Sequence, residues 1–250
     1  MHIKNNLAAI ILLLITASSV HARINILEPW YTGQDTSAGK ANTYDAQTVL
    51  KTGNYFIEMP FLFSYAATSQ LEVGGSWGIK SVSGNTGIND MNLGIKYLLL
   101  DGRAEKPAVI GEASLSLPTG DHTKGLGAGG TEMRLHWALQ KDIEEITGYF
   151  GIGLGMNSEN SDKVKPGDVF YYHIGASTAY DKSTRIHGEL KGFNHNHTKI
   201  NGTSMQDSYQ ELYLAPGVNY IWEKSRTVSA SLLIGLTSKS STLGLIISCQ

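Results

Sequence analysis

From about Asn42 onward the chain is written in runs of roughly ten residues that alternate apolar and polar side chains, separated by clusters of Gly, Asn, Asp and Ser. Successive side chains point to opposite faces of a strand but follow a 3.6-residue period on a helix, so this alternation selects strands. In the run 88 to 100, Met91, Leu93, Ile95, Tyr97 and Leu99 share one face, and Asp90, Asn92, Gly94 and Lys96 share the other. Between 69 and 80, Leu71, Val73, Gly75, Trp77 and Ile79 oppose Glu72, Gly74, Ser76, Gly78 and Lys80. Between 130 and 140, Met133, Leu135, Trp137 and Leu139 oppose Glu132, Arg134 and His136.

About twelve such runs follow one another, near 42–50, 53–66, 69–80, 88–100, 107–117, 130–140, 145–157, 168–181, 184–194, 207–223, 226–237 and 240–248. They predict an all-β fold, an antiparallel up-and-down barrel. No stretch of the mature chain approaches the ~18 consecutive apolar residues that a transmembrane helix needs, so a spanning structure has to be a closed barrel. The one apolar run, Leu7 to Ile15, follows a Lys-containing start and ends in small residues at Val20-His21-Ala22. That order is a secretory signal peptide. The predicted organisation is a cleaved signal at 1–22, an N-terminal periplasmic segment at 23–41 and an outer-membrane barrel at 42–250.

Gly 28 and Tyr 12 against Pro 6, with 17% charged residues, is the composition of strands and turns. A formal net charge of -2 gives no electrostatic case for nucleic acid. Cys249 is the sole cysteine, which excludes an internal disulfide framework and a zinc site built from several thiolates.

Alternation does not say which face points outward, because a soluble barrel with an apolar core has the same pattern reversed. Around eight strands already give an interior that side chains fill, so about twelve imply a wetter lumen lined by the polar face. Connection lengths add a second argument, since bacterial barrels alternate short periplasmic turns with longer outer loops. Short connections fall at 66–69, 101–106, 141–144, 181–184 and 223–226, and long ones at 81–89, 118–129, 157–167 and 195–206. This parity places Tyr65, Tyr97, Trp137, Tyr180 and Trp222 in a lower aromatic girdle, and Trp77 with Tyr55 and Tyr172 in an upper one.

The predicted lumen lining is Glu58, Glu72, Lys80, Asp90, Lys96, Glu112, Glu132, Arg134, His136, Glu189, Lys191 and Glu211. A Lys or Arg facing lipid near the midplane costs ~2 to 4 kcal/mol, so segregation of charge to one face fits a solvated interior. Acidic residues outnumber basic ones in this set, which gives a mild preference for cations or neutral solutes.

Other motifs fail on context. Gly125-Leu126-Gly127-Ala128-Gly129-Gly130 has the letters of a dinucleotide fingerprint but leads into an alternating run instead of a helix, and reads as a flexible glycine loop. Gly74-Gly75-Ser76-Trp77-Gly78 has the letters of a nucleophile elbow but lies inside a strand. His195 and His197, with His122, carry imidazoles without a carboxylate or thiol at ligand spacing. His136, His173 and His187 fall on the polar face, away from the lipid edge where a barrel lipid hydrolase works. No catalytic, cofactor or metal residue is assigned.

The run Ile88-Asn89-Asp90-Met91-Asn92-Leu93-Gly94-Ile95-Lys96-Tyr97, then Leu115-Ser116-Leu117-Pro118-Thr119-Gly120-Asp121 and the glycine loop, resembles the outer-membrane transporter family named for the meta-cleavage pathway of phenol degradation. The resemblance is best from Leu71 to Met156. It implies a signal-bearing barrel that moves small, often aromatic, molecules across the outer membrane of a double-membraned bacterium. Barrel proteins often finish on an aromatic residue read by the insertion machinery, whereas this chain ends Ile246-Ile247-Ser248-Cys249-Gln250.

The sequence thus predicts a channel or passive transporter for small molecules, aromatic or hydrophobic ones among them, and no enzyme. Its partners are outer-membrane lipid, a small-molecule solute and the barrel-insertion machinery. A plugged barrel with a structural or surface-binding role is the alternative, and a lipid hydrolase ranks below it.

Overall fold

The computed structural model describes residues 40–102, 106–223 and 226–249. The expected signal peptide at 1–22 and almost all of the expected periplasmic segment 23–41 lie outside these residues, as do parts of the turns after Leu100 and Glu223.

One strand settles which face is outward. In β5, Leu93, Ile95 and Tyr97 are 43%, 49% and 45% exposed, whereas Asn92 and Lys96 are 7% and 1% exposed. The apolar set therefore forms the outer surface, and a continuous apolar outer surface of this kind is a lipid-facing band. β8 is the clearest case, with Phe150, Ile152, Leu154 and Met156 outside and Tyr149, Gly151, Gly153 and Gly155 inside.

Sixteen strands occur among the described residues: β1 (Thr43–Thr52), β2 (Phe56–Ala66), β3 (Leu71–Val82), β4 (Asn85–Ile88), β5 (Met91–Leu100), β6 (Ala108–Leu117), β7 (Glu132–Ile143), β8 (Ile146–Asn157), β9 (Val164–Lys165), β10 (Val169–Ala179), β11 (Thr184–His195), β12 (Thr198–Ile200), β13 (Thr203–Gln206), β14 (Tyr209–Glu223), β15 (Arg226–Gly235) and β16 (Leu243–Cys249). Twelve of them form the wall, in the order β2-β1-β16-β15-β14-β11-β10-β8-β7-β6-β5-β3, and pairing of β3 with β2 closes the ring. Every pairing is antiparallel. The fold is a closed, twelve-stranded, antiparallel barrel, and each wall strand coincides with one of the alternating runs. Closure abolishes free edges, which lets a sheet stand in hydrocarbon. The seam between β1 and β16 is short, with Thr48–Thr52 paired to Leu245–Cys249.

Two expectations about loops are corrected. The segment 81–89 is largely strand: β3 runs on and turns through Ser83 (φ 50°) and Gly84 (φ 86°) into β4. Two successive positive φ values give the tight hairpin turn whose twist matches the strands. The glycine loop 125–130 is tied down, as described below, and follows the short 3-10 turn His122–Lys124, which Gly125 caps. β9, β12 and β13 form a small separate sheet at the same long-loop end. At the opposite end the connections are short, such as the Glu144 turn (φ 55°) between β7 and β8.

Candidate functional site

Because paired residues of neighbouring strands stand side by side, one pairing row can be followed round the inner wall. It runs Ala66, Glu72, Lys96, Glu112, His136, Gly153, Tyr171, Phe193, Glu211, crossing β2, β3, β5, β6, β7, β8, β10, β11 and β14. Glu72 to His136 are ionisable, Tyr171 and Phe193 beyond Gly153 are aromatic, and Ala66 and Glu211 stand at the two ends. The residues expected to line the lumen that lie on wall strands share the buried or half-buried register opposite the exposed apolar one, Asp90 lies between β4 and β5, and they do different things.

The charged half is internally paired. Lys96 Nζ lies 3.7 Å from Glu72, with both side chains buried. Glu112 meets His136 Nδ1 at 2.7 Å, and Lys191 meets Glu189 at 3.1 Å. Arg134 pairs with Glu132 on the same strand. In a low-dielectric wall a lone charge is costly, so pairing and hydrogen bonding hold these groups in place. At the rim, Glu58 pairs with Lys51 at 3.0 Å and accepts a hydrogen bond from the Asn89 amide at 2.6 Å. Lys80 stands opposite Glu58 across the β2–β3 ladder. Glu211 lies 3.6 Å from His195, whose ring stacks on Tyr209 with centroids 4.3 Å apart.

Asp90 departs from a lumen-lining role. Its carboxylate accepts from Gly120 N at 2.9 Å and Ala128 N at 2.7 Å, so it clamps both ends of the glycine loop. Thr119 Oγ1 adds a second tie, donating to Asn89 O and accepting from Met91 N. The loop is ordered because two amides converge on one charge, and Gly127 approaches so closely that a Cβ there would sit 2.3 Å from Asp90 Oδ1. The Asn-Asp pair, the Pro-Thr-Gly-Asp turn and the glycines are one structural unit. Asp121 caps the following turn, and Thr123 and Lys124 hold its carboxyl down to about 2. From there His122 reaches Asp162 of the next loop at 3.0 Å. His122, His195 and His197 thus take separate partners, His197 meeting Gln206 O.

Sequence reasoning missed the other half of the lumen. Val49, Tyr171, Phe193, Tyr213, Ala215, Leu233 and Ile246 form a buried cluster on the inner wall, with Leu62 and Val169 against it. Tyr171 and Phe193 stack at 6.3 Å, and Phe193 meets Tyr213 edge-on at 6.3 Å. These are favourable ring geometries. A second inner apolar cluster, Leu98, Ile110 and Ala138, lies toward the short-turn end of β5, β6 and β7. The inner glycines of β8 make room for large neighbours: a Cβ on Gly153 would fall 2.2 Å from Tyr171 Cζ.

His187 contacts Ser231 Oγ at 3.0 Å, but His187 Nδ1 has no hydrogen-bond partner to orient the ring as a triad requires. Of the girdle residues, Trp77, Tyr97, Trp137, Tyr180 and Trp222 are exposed on the outer surface, and Tyr65 stacks on Tyr44 at 4.7 Å. Tyr65, Tyr180 and Trp222 lie at strand ends, whereas Trp137 sits mid-strand between Gly111 and Ile152. A concavity of about 940 Å³ on the outward surface is lined by Ala46, Phe63, Val73, Leu93, Ile95 and Leu115, an apolar wall for lipid and no part of the lumen.

Known structures share this architecture. The COG4313 outer membrane channel from Pseudomonas putida F1 superposes with a TM-score of 0.72 at 15% identity, covering 88% of this chain and 98% of that one. The KdgM porin, in complex with disordered oligogalacturonate, gives 0.55 at 10% identity, covering 83% and 97%. The NanC porin gives 0.53 at 8% identity, covering 83% and 98%. No curated protein matches the chain in sequence. Fold and lipid-facing surface together place the protein in the bacterial outer membrane. Residues 15–245 match the family described as "Putative MetA-pathway of phenol degradation", and the chain belongs to that family.

Proposed function

We propose that this protein is a passive outer-membrane channel for small amphipathic molecules, aromatic ones included. The carrying observation is the two-sided lumen: an inner aromatic cluster at Tyr171, Phe193 and Tyr213 faces a wall of paired charges at Glu72, Lys96, Glu112 and His136. A ring moving along such a wall exchanges one aromatic contact for the next, while its polar group stays near hydrogen-bonding partners. The family name and the porin fold of the structural neighbours support the same reading. Acidic residues outnumber basic ones among the lumen residues, which favours cations and neutral solutes over anions. The insertion machinery takes β16 as its last strand, after removal of 1–22 on export, leaving 23–41 as a periplasmic segment.

Liposome swelling tests the proposal. Vesicles holding the protein should admit phenol-sized aromatic alcohols faster than sugars of equal mass, and Phe193→Ala should slow the aromatic solutes selectively. Equal rates for both solute classes in wild type would defeat the aromatic reading, and no swelling with any solute would favour a plugged barrel.

A further inference from the structure

Two imidazoles meet over a strand position that has no side chain. His136 of β7 and His173 of β10 lean across β8 from opposite sides, and their Nε2 atoms are 3.2 Å apart in hydrogen-bond geometry. Gly151 lies beneath them: a Cβ there would fall 2.0 Å from His173 Nε2 and 2.7 Å from His136 Nε2. The far nitrogen of each ring faces a carboxylate, His136 Nδ1 to Glu112 at 2.7 Å and His173 Nδ1 to Glu189 at 3.3 Å. Both rings and both carboxyls are buried.

The chain Glu112–His136–His173–Glu189 has three junctions, and each is attractive only with a hydrogen in it. Two neutral imidazoles bring one N–H each. With two hydrogens, one junction is left as lone pair against lone pair, or lone pair against carboxylate, in a wall that screens poorly. The longest of the three junctions, His173 Nδ1 to Glu189 at 3.3 Å, marks where the deficit falls. A third hydrogen completes the chain and puts one positive charge between two negative ones.

We propose that this chain is a binding site for one proton, held as an imidazolium shared between His136 and His173, and that its occupancy sets the charge of this part of the lumen wall. The groups facing it are Lys96 from β5, Glu112 from β6, Glu132 and Arg134 from β7, Tyr149 from β8, Tyr171 from β10, and His187, Glu189 and Lys191 from β11. Lys191, 3.1 Å from Glu189, opposes the proton, and the two carboxylates favour it. A metal ion is the other cation that could join two imidazole nitrogens. Among the described residues no group of three or more His, Cys, Asp or Glu side chains is arranged to hold one.

The test uses the full chain in lipid nanodiscs with nitrogen-15 histidine, followed by NMR from about pH 8 to about pH 5. The His136 and His173 ring nitrogens should shift together as a single one-proton event, and His173→Gln should remove the shift of His136. Glu112→Gln, which keeps both rings, should move the event to lower pH, and this arm decides the matter if His173→Gln does not refold. Rings that titrate independently, a pair that takes up no proton, or a pair that changes on adding zinc chloride at the upper pH would overturn the proposal. Reversal potentials in a salt gradient give a second readout, in which cation preference should fall with pH in wild type and stay level in His173→Gln. A protein that carries no current counts against the channel function, and the NMR result then judges the proton site alone.

Discussion

Placing an arginine at Ile152 tests the whole membrane reading at one atom position. β8 has 12 residues, which at ~3.3 Å per residue is ~40 Å of strand, and a tilt of ~45° lowers this to a height of ~28 Å. The apolar band of such barrels is ~25 Å tall, so Ile152, at the strand's centre, faces the bilayer midplane and Ile146, its first residue, faces an interface. Arginine on the lipid face costs ~2 to 4 kcal/mol at the midplane and ~0 to 1 near the interfaces. Ile152→Arg should therefore lower the folding equilibrium constant by about 30-fold to about 700-fold, with Ile146→Arg changing it by less than about tenfold. Reversible unfolding in urea with phospholipid vesicles, followed by tryptophan fluorescence, measures both. If Ile152→Arg costs no more than Ile146→Arg, that surface does not face hydrocarbon and the outward assignment fails.

Three further outcomes follow from the inner wall and the loops. Asp90→Ala strands the amides of Gly120 and Ala128, so it should destabilise the loop by ~2 to 3 kcal/mol and raise hydrogen exchange across 118–129; unchanged exchange would remove the clamp. Gly153→Val drives a Cβ toward Tyr171 Cζ and should cost ~1 to 3 kcal/mol, whereas an unchanged urea midpoint would mean the ring does not lie there. Asp121 has its carboxyl lowered to about 2 by Thr123 and Lys124. A depressed acid stabilises the fold above its ordinary value of 3.8 and loses that contribution as pH falls through about 2. Protection of the Thr123 amide should therefore persist through pH 3.8 and disappear near pH 2, and loss already at the ordinary carboxylate value would contradict the cap.

The barrel was legible because lipid outside and polar groups inside impose a period of two on every strand where the inner face is polar. In β3, and in β5, β6 and β7 away from the inner Leu98, Ile110 and Ala138, this contrast holds, and Glu72, Lys96, Glu112 and His136 are assigned to the inner register from letters alone. On β10 the contrast collapses, because Tyr171 inside and Tyr172 outside are the same residue type. Leu232-Leu233-Ile234 and Leu245-Ile246-Ile247 collapse it again, with Leu233 and Ile246 inside. An apolar inner face erases the period that reveals it, so the aromatic half of the lumen was invisible for the same physical reason that the charged half was plain. Lys51 escapes for a different reason: the alternating run 42–50 stops one residue short of the strand position from which its ammonium reaches Glu58. The clamp at Asp90 needed a loop to fold back on a strand 30 residues away in sequence, which no local period records.

The division of the lumen follows from the order of strands round the ring. A row of charged inner residues lies on the neighbouring strands β3, β5, β6 and β7, and the larger apolar cluster lies on β10, β11, β14, β15, β16 and β1, which are also neighbours, with Glu189 and Lys191 on β11, Glu211 on β14 and Lys51 on β1 set among it. β8 separates the two halves with glycines at Gly151, Gly153 and Gly155, so rings from β7 and β10 can meet across it without a layer of side chains between. A charged half left unpaired would hold an oppositely charged solute too tightly to release it, and conduction requires binding weak enough to leave. Pairing Lys96 with Glu72 and Lys191 with Glu189 turns bare charges into local dipoles. Such a wall still orients a hydroxyl or carboxyl group, and its field decays within the lumen. The aromatic half supplies non-directional contact, which is similar at each ring and so adds little barrier between successive positions. A solute with one polar and one apolar end is matched by both halves at once, and a sugar only by the charged half. That difference is what the comparison of aromatic and sugar solutes reads, and under the proposed function it would tie selectivity to the order of strands as much as to any single residue.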